Sequence, residues 1–449
     1  MSAASLPEAA SRRDRSIRLA ISTSLLSKVG TLLLQLVSIP LAVRIFGRTE
    51  FGLYTTVNLT LTTVSMLEVG VGPALAHGLS KARATGSEED QKILGSTAFF
   101  TVLGVAILVA ILLAAVLLTV PLAAIYGQDF AGKESVMRPA LWVGLGLFLM
   151  FFLLNLTERI REGHLEVAAN NLWGAAGNLT AAAAVGFGVL AARREWFTPE
   201  IWCLVLAVHG SLVLAKGANT ISLWRTHPAM IPRLSFFRKA VAKHLFSDGM
   251  SFSTSLLLTG LVEYNLCGWM VGRLDGGPAA TALYGVFISL TVMQLGFVIM
   301  LSTPTWPAVA EALARDDYPW ARRAAKRLYL FGTGFAFCSA IGLIAIGPWV
   351  LPLWLGKDFS GISRAVLACY SLYFVAHVWR HLNHALMVGT GQVGRLARIQ
   401  VVESVLVAGI AYLALRYGSM EIMLLAMAVV MLSITGWLLP RQVAAMLRK

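Results

Sequence analysis

The chain has 449 residues, of which 57% are hydrophobic and only 13% charged, with a formal net charge of +14 and a mean hydropathy of +0.72. That composition excludes a soluble globular protein and predicts an all-α polytopic membrane protein. The apolar runs are joined by short connections that leave no room for a separate globular domain. The basic surplus does not point to nucleic acid, because the basic residues are dispersed over alternate loops rather than gathered in one patch. The four cysteines, Cys203, Cys267, Cys338 and Cys369, lie in apolar runs without CxxC spacing, so neither a disulfide framework nor a zinc site is expected.

A basic tail over residues 1–18 precedes the first apolar run, which is too long for a signal-peptide core and is expected to stay as an uncleaved helix. Apolar windows then place about twelve transmembrane helices at 19–45, 51–79, 94–125, 138–157, 167–191, 199–224, 244–272, 279–312, 328–350, 364–389, 396–416 and 420–440. The expected organisation is an N-terminal six-helix lobe at 19–224, a basic linker at 225–243, a C-terminal six-helix lobe at 244–440 and a short tail at 441–449. Most of the 37 Lys and Arg residues fall in the two tails and the even-to-odd connections. The excess of positive charge on that side predicts cytoplasmic termini in a bacterial inner membrane, with anionic lipid a sufficient partner for those loops.

In the first helix Ser24, Lys28, Thr31, Gln35 and Ser38 step by three or four and share one face. A lysine near mid-bilayer costs about 2.5–3.5 kcal/mol, so this face is expected to turn toward protein or a wet cavity. The second span carries a similar line through Asn58, Thr62, Ser65, Glu68 and Gly72. The seventh carries Ser251, Ser255, Thr259 and Glu263. Lys216 and Arg380 are further cations within spans, and Glu403 a further acid near a helix end. His377, Arg380, His381 and His384 fit one face of the tenth helix, a strip able to meet an anionic group such as phosphate, or to pair with Glu263 or Glu403. No carboxylate or thiol at ligand spacing supports a metal there.

Ser22-Thr-Ser-Leu-Leu26 recurs as Ser253-Thr-Ser-Leu-Leu257. Leu53-Tyr54 answers Leu283-Tyr284, Pro73-Ala-Leu-Ala76 answers Pro307-Ala-Val-Ala310, and Leu154-Asn155 answers Leu382-Asn383. The common order and offset predict two homologous six-helix repeats in the same orientation, facing each other across a cavity as a two-lobed alternating-access transporter.

The run from Arg44 through Gly47, Phe51, Gly52 and Tyr54, followed by Glu68-Val-Gly-Val-Gly-Pro73, resembles the signature of the bacterial polysaccharide transporters. These are the O-antigen and related lipid-linked oligosaccharide flippases of the multidrug/oligosaccharidyl-lipid/polysaccharide exporter superfamily. In that family the acid of the second motif is often Asp, where this chain has Glu68. The resemblance implies a two-lobed fold of twelve to fourteen helices whose first, second, seventh and eighth helices line a central cavity. It implies an undecaprenyl-pyrophosphate oligosaccharide as cargo during surface polysaccharide biosynthesis. On that reading Lys28, Arg380, Lys216, Gln35, His377, His381 and His384 would meet the pyrophosphate and sugars, and Glu68 or Glu263 would bind a coupling proton or sodium ion. The polymerase and glycosyltransferases of the pathway are the expected protein partners. No cofactor is expected, and without a G-x-x-x-x-G-K-[ST] loop the energy would come from an ion gradient or from removal of product. The alternatives are a multidrug exporter of the same superfamily, a peptidoglycan-precursor flippase, or a membrane polymerase or glycosyltransferase of the same pathway. Drug exporters favour acidic and aromatic cavities, and the enzymes need an extramembrane loop or an acidic metal motif that this chain lacks.

Overall fold

The computed structural model describes residues 6–65, 71–84, 86–247, 258, 260–314, 316–390 and 392–448. Those residues form helices and connecting turns, with no strand among them. In chain order the helices are α1 (Leu6–Ser65), α2 (Val71–Ala84), α3 (Glu88–Thr119), α4 (Leu122–Tyr126), α5 (Glu134–Leu154), α6 (Leu156–Gly163), α7 (Val167–Arg193), α8 (Ile201–Val205) and α9 (Ser211–Thr226). They continue as α10 (239–247), α11 (Cys267–Leu274), α12 (Gly277–Ala314), α13 (Tyr318–Leu355), α14 (Arg364–Gly389), α15 (Val393–Tyr417) and α16 (Met420–Leu447). Helix overlaps every predicted span. The protein is a multi-pass membrane protein: among the described residues nine stretches are long and apolar enough to cross a bilayer. One of them, Ser22–Val64, has 43 residues, and at about 1.5 Å per residue it is roughly twice the length a bilayer core requires. Leu118, Leu214 and Leu353, more than 70% exposed, are the surface expected of helices that face lipid.

The break that divides α1 is chemical. Gly47 adopts φ +75°, a left-handed conformation that side chains disfavour, so one continuous helical tract becomes the first span and the start of the second. Gly52 then packs against Pro278 so closely that a Cβ would lie 1.7 Å from the Pro278 carbonyl oxygen. Arg48, between them, donates from its backbone N–H to Asp358 (3.3 Å) and from Nε to the Ala279 carbonyl (3.2 Å), and its guanidinium lies over the Phe359 ring. The glycines and the arginine of the first signature motif are thus a packing device.

The chain forms two compact units. Unit 1 takes in the described residues of Met1–Phe46, Thr60–Ile125 and Ala131–Ser253. Unit 2 takes in Gly47–Leu59, Tyr126–Phe130 and Thr254–Lys449. Within unit 1, α1 lies along α7: Asn171 donates to the Thr23 hydroxyl (3.1 Å) and Asn178 to the Thr31 hydroxyl (2.9 Å). Those asparagines are seven residues apart, two helical turns, so they meet the polar face of α1 in register. Within unit 2, α14 is central. Tyr370, Phe374, Val378, Leu382 and Leu386 are fully buried along it. The starts of α3, α13 and α14 are capped by side chains: Ser87, Asp317 and Ser363 accept from the backbone N–H of Asp90, Trp320 and Val366.

Candidate functional site

Unit 2 holds a buried ionic cluster built on three elements. Residues Gly260–Leu266 form a π-helical turn, in which Asn265 bonds back to the Gly260 carbonyl at 3.1 Å. This wider turn carries Glu263. Such turns are rare and frequent at functional sites. Arg380 on α14 pairs through Nη1 with Glu263 Oε1, and the same nitrogen lies 3.7 Å from Glu403 Oε2 on α15. Glu263 Oε2 accepts from the Tyr373 hydroxyl at 2.9 Å and lies 3.0 Å from His377 Nδ1. Glu403 Oε1 lies 2.7 Å from the Thr435 hydroxyl of α16. Glu263, His377, Arg380 and Glu403 are all at most 4% exposed. Burial of that many charges is tolerated only because each has partners.

The four residues of the predicted cationic strip meet partners on several elements. His377 and Arg380 turn to Glu263, His381 meets the Ser302 hydroxyl (3.0 Å) on α12, and His384 Nδ1 meets the Gln400 amide (3.1 Å) on α15. One histidine-rich face therefore serves three neighbouring elements. Arg380 is taken up by carboxylates.

Unit 1 carries a second network. Lys216 on α9 pairs with Glu158 on α6, donates to Asn155 Oδ1 at 3.0 Å and sits over the Phe151 ring at 4.6 Å. Phe151 also lines an apolar cavity of about 240 Å³ together with Leu61, Thr62, Phe148 and His209. Asn383, aligned with Asn155 in the sequence, has a different partner: its Oδ1 accepts from the Tyr329 hydroxyl of α13 at 2.6 Å. Sequence reasoning missed Arg161, which it placed on a basic loop. The side chain is buried, with Nε bonded to Asn219 Oδ1 (2.7 Å), Nη1 to Glu166 (2.5 Å) and Nη2 to the Ser222 hydroxyl (3.2 Å). Glu166 also meets His227 Nε2 at 2.8 Å. Burial raises the Glu166 carboxyl, but His227 and Arg161 outweigh it and hold the group below the ordinary carboxylate value. The signal in the sequence was Glu166, an acid five residues beyond Arg161 and able to answer a cation that does not reach solvent.

Lys28 differs from these cations. It is half-buried on the polar edge of α1, and among the described residues no carboxylate pairs with it. Two turns along that edge, Gln35 Oε1 is buried without a hydrogen-bond partner among the described residues. Glu68, Ser251, Ser255 and Thr259 lie outside the described residues.

The sequence family described as polysaccharide biosynthesis protein matches residues 20–313. The chain belongs to this family. That match spans α1 with its Gly47 break, the Lys216 network and the π-helical turn of Glu263. No curated protein sequence matches the chain. Among solved structures, one titled as the inward-facing conformation of a multidrug resistance MATE family transporter of the MOP superfamily is similar with a TM-score of 0.77 at 12% identity. The match covers 96% of this chain and 98% of that one. A MOP superfamily transporter from Pyrococcus furiosus, whose title reports a reverse polarity of the binding pocket, is similar with a TM-score of 0.67 at 13% identity, covering 96% of each chain. At such identities the likeness is one of fold, and the fold is MATE-like.

Proposed function

We propose that this protein is a flippase that moves an undecaprenyl-pyrophosphate-linked oligosaccharide from the cytoplasmic to the outer leaflet of a bacterial inner membrane, for surface polysaccharide biosynthesis. Family membership and a transporter fold support a membrane exporter. The observation that carries the finer reading is Lys28: a half-buried cation on an apolar helix, paired with no carboxylate among the described residues. A lone charge at that depth is costly. An anionic headgroup would supply the missing partner, with Gln35 two turns away to meet a sugar hydroxyl. Arg380 and Lys216 enter this reading differently, as cations already answered by Glu263 and Glu158, so the first phosphate contact rests on Lys28. The working cycle is alternating access driven by a proton or sodium gradient.

Deletion of the gene tests this. Lipid-linked repeat units accumulating on the cytoplasmic leaflet, with surface polysaccharide lost, would support the flippase. Complementation by Lys28→Glu at wild-type protein level should fail where Lys28→Arg succeeds. Normal polysaccharide with new sensitivity to cationic drugs would move the protein to the multidrug branch and remove the role given to Lys28.

A further inference from the structure

We propose that Glu403 is a proton-carrying carboxylate of unit 2, and that Glu263 is the permanently charged partner of Arg380. Their surroundings separate the two acids.

Glu263 has every oxygen occupied by a donor. Arg380 Nη1 binds Oε1, and the Tyr373 hydroxyl donates to Oε2 at 2.9 Å. A carboxylate so surrounded is the acceptor-only form. Glu403 has no such set. Its Oε2 sees Arg380 only at 3.7 Å, too long for a hydrogen bond, and its Oε1 faces the Thr435 hydroxyl at 2.7 Å.

Thr435 decides the matter. Its Oγ1 is also 3.0 Å from the Met431 carbonyl, four residues back along α16. A hydroxyl has one hydrogen, and a carbonyl oxygen has none to give. Both contacts can be full two-centre hydrogen bonds, rather than one hydrogen shared between two acceptors, only if the second hydrogen comes from Glu403: Thr435 donates to Met431, and protonated Glu403 donates from Oε1 to Thr435.

The charges agree. Two buried carboxylates against one guanidinium leave one negative charge in an apolar interior, and one proton cancels it. The titratable and charged groups near Glu403 are Arg380 and, beyond it, Glu263 and His377. His384, which bonds Gln400 one turn from Glu403, is the next. His377 is the rival holder of the proton, but its Nδ1 lies 3.0 Å from Arg380 Nη2, which can only donate. A cationic imidazole would set two positive groups at hydrogen-bond distance.

The assignment concerns protonation, and only its link to transport rests on the flippase reading. The test is infrared spectroscopy of the purified full chain in lipid at neutral pH. Wild type should show the carbonyl stretch of a protonated carboxylic acid that Glu403→Gln removes. That variant, which is isosteric with the neutral acid, should melt at the wild-type temperature. Thr435→Val should shift the same band to higher frequency, because the acid loses its acceptor. An absent band in wild type, a band untouched by Glu403→Gln, or a band unmoved by Thr435→Val would each overturn the proposal. In a flipping assay across pH, Glu403→Gln should flatten the proton dependence. A wild type that flips nothing would sink the flippase reading and leave the infrared assignment standing.

Discussion

Replacing Arg380 by Gln is the sharpest probe of what holds unit 2 together. The side chain is 4% exposed and its guanidinium contacts Glu263, itself 2% exposed. Two unit charges about 4 Å apart interact by about 4 kcal/mol at an effective dielectric of about 20. Removing one partner of a buried pair costs about 3–5 kcal/mol, since the other charge stays buried and unanswered. For a folding unit of this size that corresponds to a fall in melting temperature of about 10 °C. Trp379, one residue from Arg380, donates from its indole N–H to the Gly436 carbonyl at 2.8 Å, and its ring lies tilted against Tyr329 at 5.1 Å. The tryptophan fluorescence of the detergent-purified protein on heating should follow the loss. Glu263→Gln should cost a similar amount, and the double change Glu263→Gln with Arg380→Leu should recover much of it, because removing both charges removes the burial penalty too. An Arg380→Gln protein that melts with wild type, or a double variant as unstable as the sum of its parts, would refute the claim that this pair is a structural tie.

Gly52→Ala should abolish folded protein in the membrane fraction, because its Cβ would lie 1.7 Å from the Pro278 carbonyl oxygen and backbone cannot yield as a side chain does; normal yield on size-exclusion chromatography would show that the two segments separate freely. Glu166→Gln should change the acid limb of stability. The folded carboxyl is depressed by His227 and Arg161 against its burial, so its contribution is present above the unfolded value of 4.5 and is lost as pH falls through the lower folded value. Melting temperatures measured down the acid range should therefore fall less steeply in the Gln variant than in wild type, and parallel curves would count against the pairing. Asn178→Leu, which removes the donor to Thr31, should cost about 1 kcal/mol, read as a small drop in melting temperature; a larger drop than for Arg380→Gln would mean that the α1–α7 contact matters more than the ionic cluster.

The transmembrane helices were legible because hydrophobic run length is a direct consequence of bilayer thickness, and the break between the first two because Gly47-Arg48 and Gly52 punctuate an otherwise unbroken apolar tract. The line of polar residues on α1 was also readable, since a period near 3.6 needs no tertiary information. What periodicity could not supply was the partner of each charge. Lys216 looked like a lone intramembrane cation, yet Glu158, its partner, sits 58 residues away on α6. Arg161 looked like a loop charge because a window average reads Leu156–Gly163 as polar, while the packing of that helix buries the guanidinium. The π-helical turn at Gly260–Leu266 shifts Glu263 off the ideal helical register, so no 3.6-residue count predicts which neighbours it meets.

The histidine-rich face of α14, for which pairing with Glu263 or Glu403 was one of two expectations, shows the same limit. Four side chains on one stripe share a face of the helix but not a single neighbour. In unit 2 the stripe is wide enough to reach the π-helical turn, α12 and α15, and each residue bonds the element nearest it. A stripe of cations in a membrane helix is therefore evidence that the helix is central, because only a helix with neighbours on several sides can satisfy so many polar groups without water. A cation available to cargo is recognised by the opposite sign, a partner missing on its own helix bundle. Among the described residues no carboxylate pairs with Lys28, half-buried on the polar edge of α1, so on the proposed flippase reading its removal should alter transport before it alters folding.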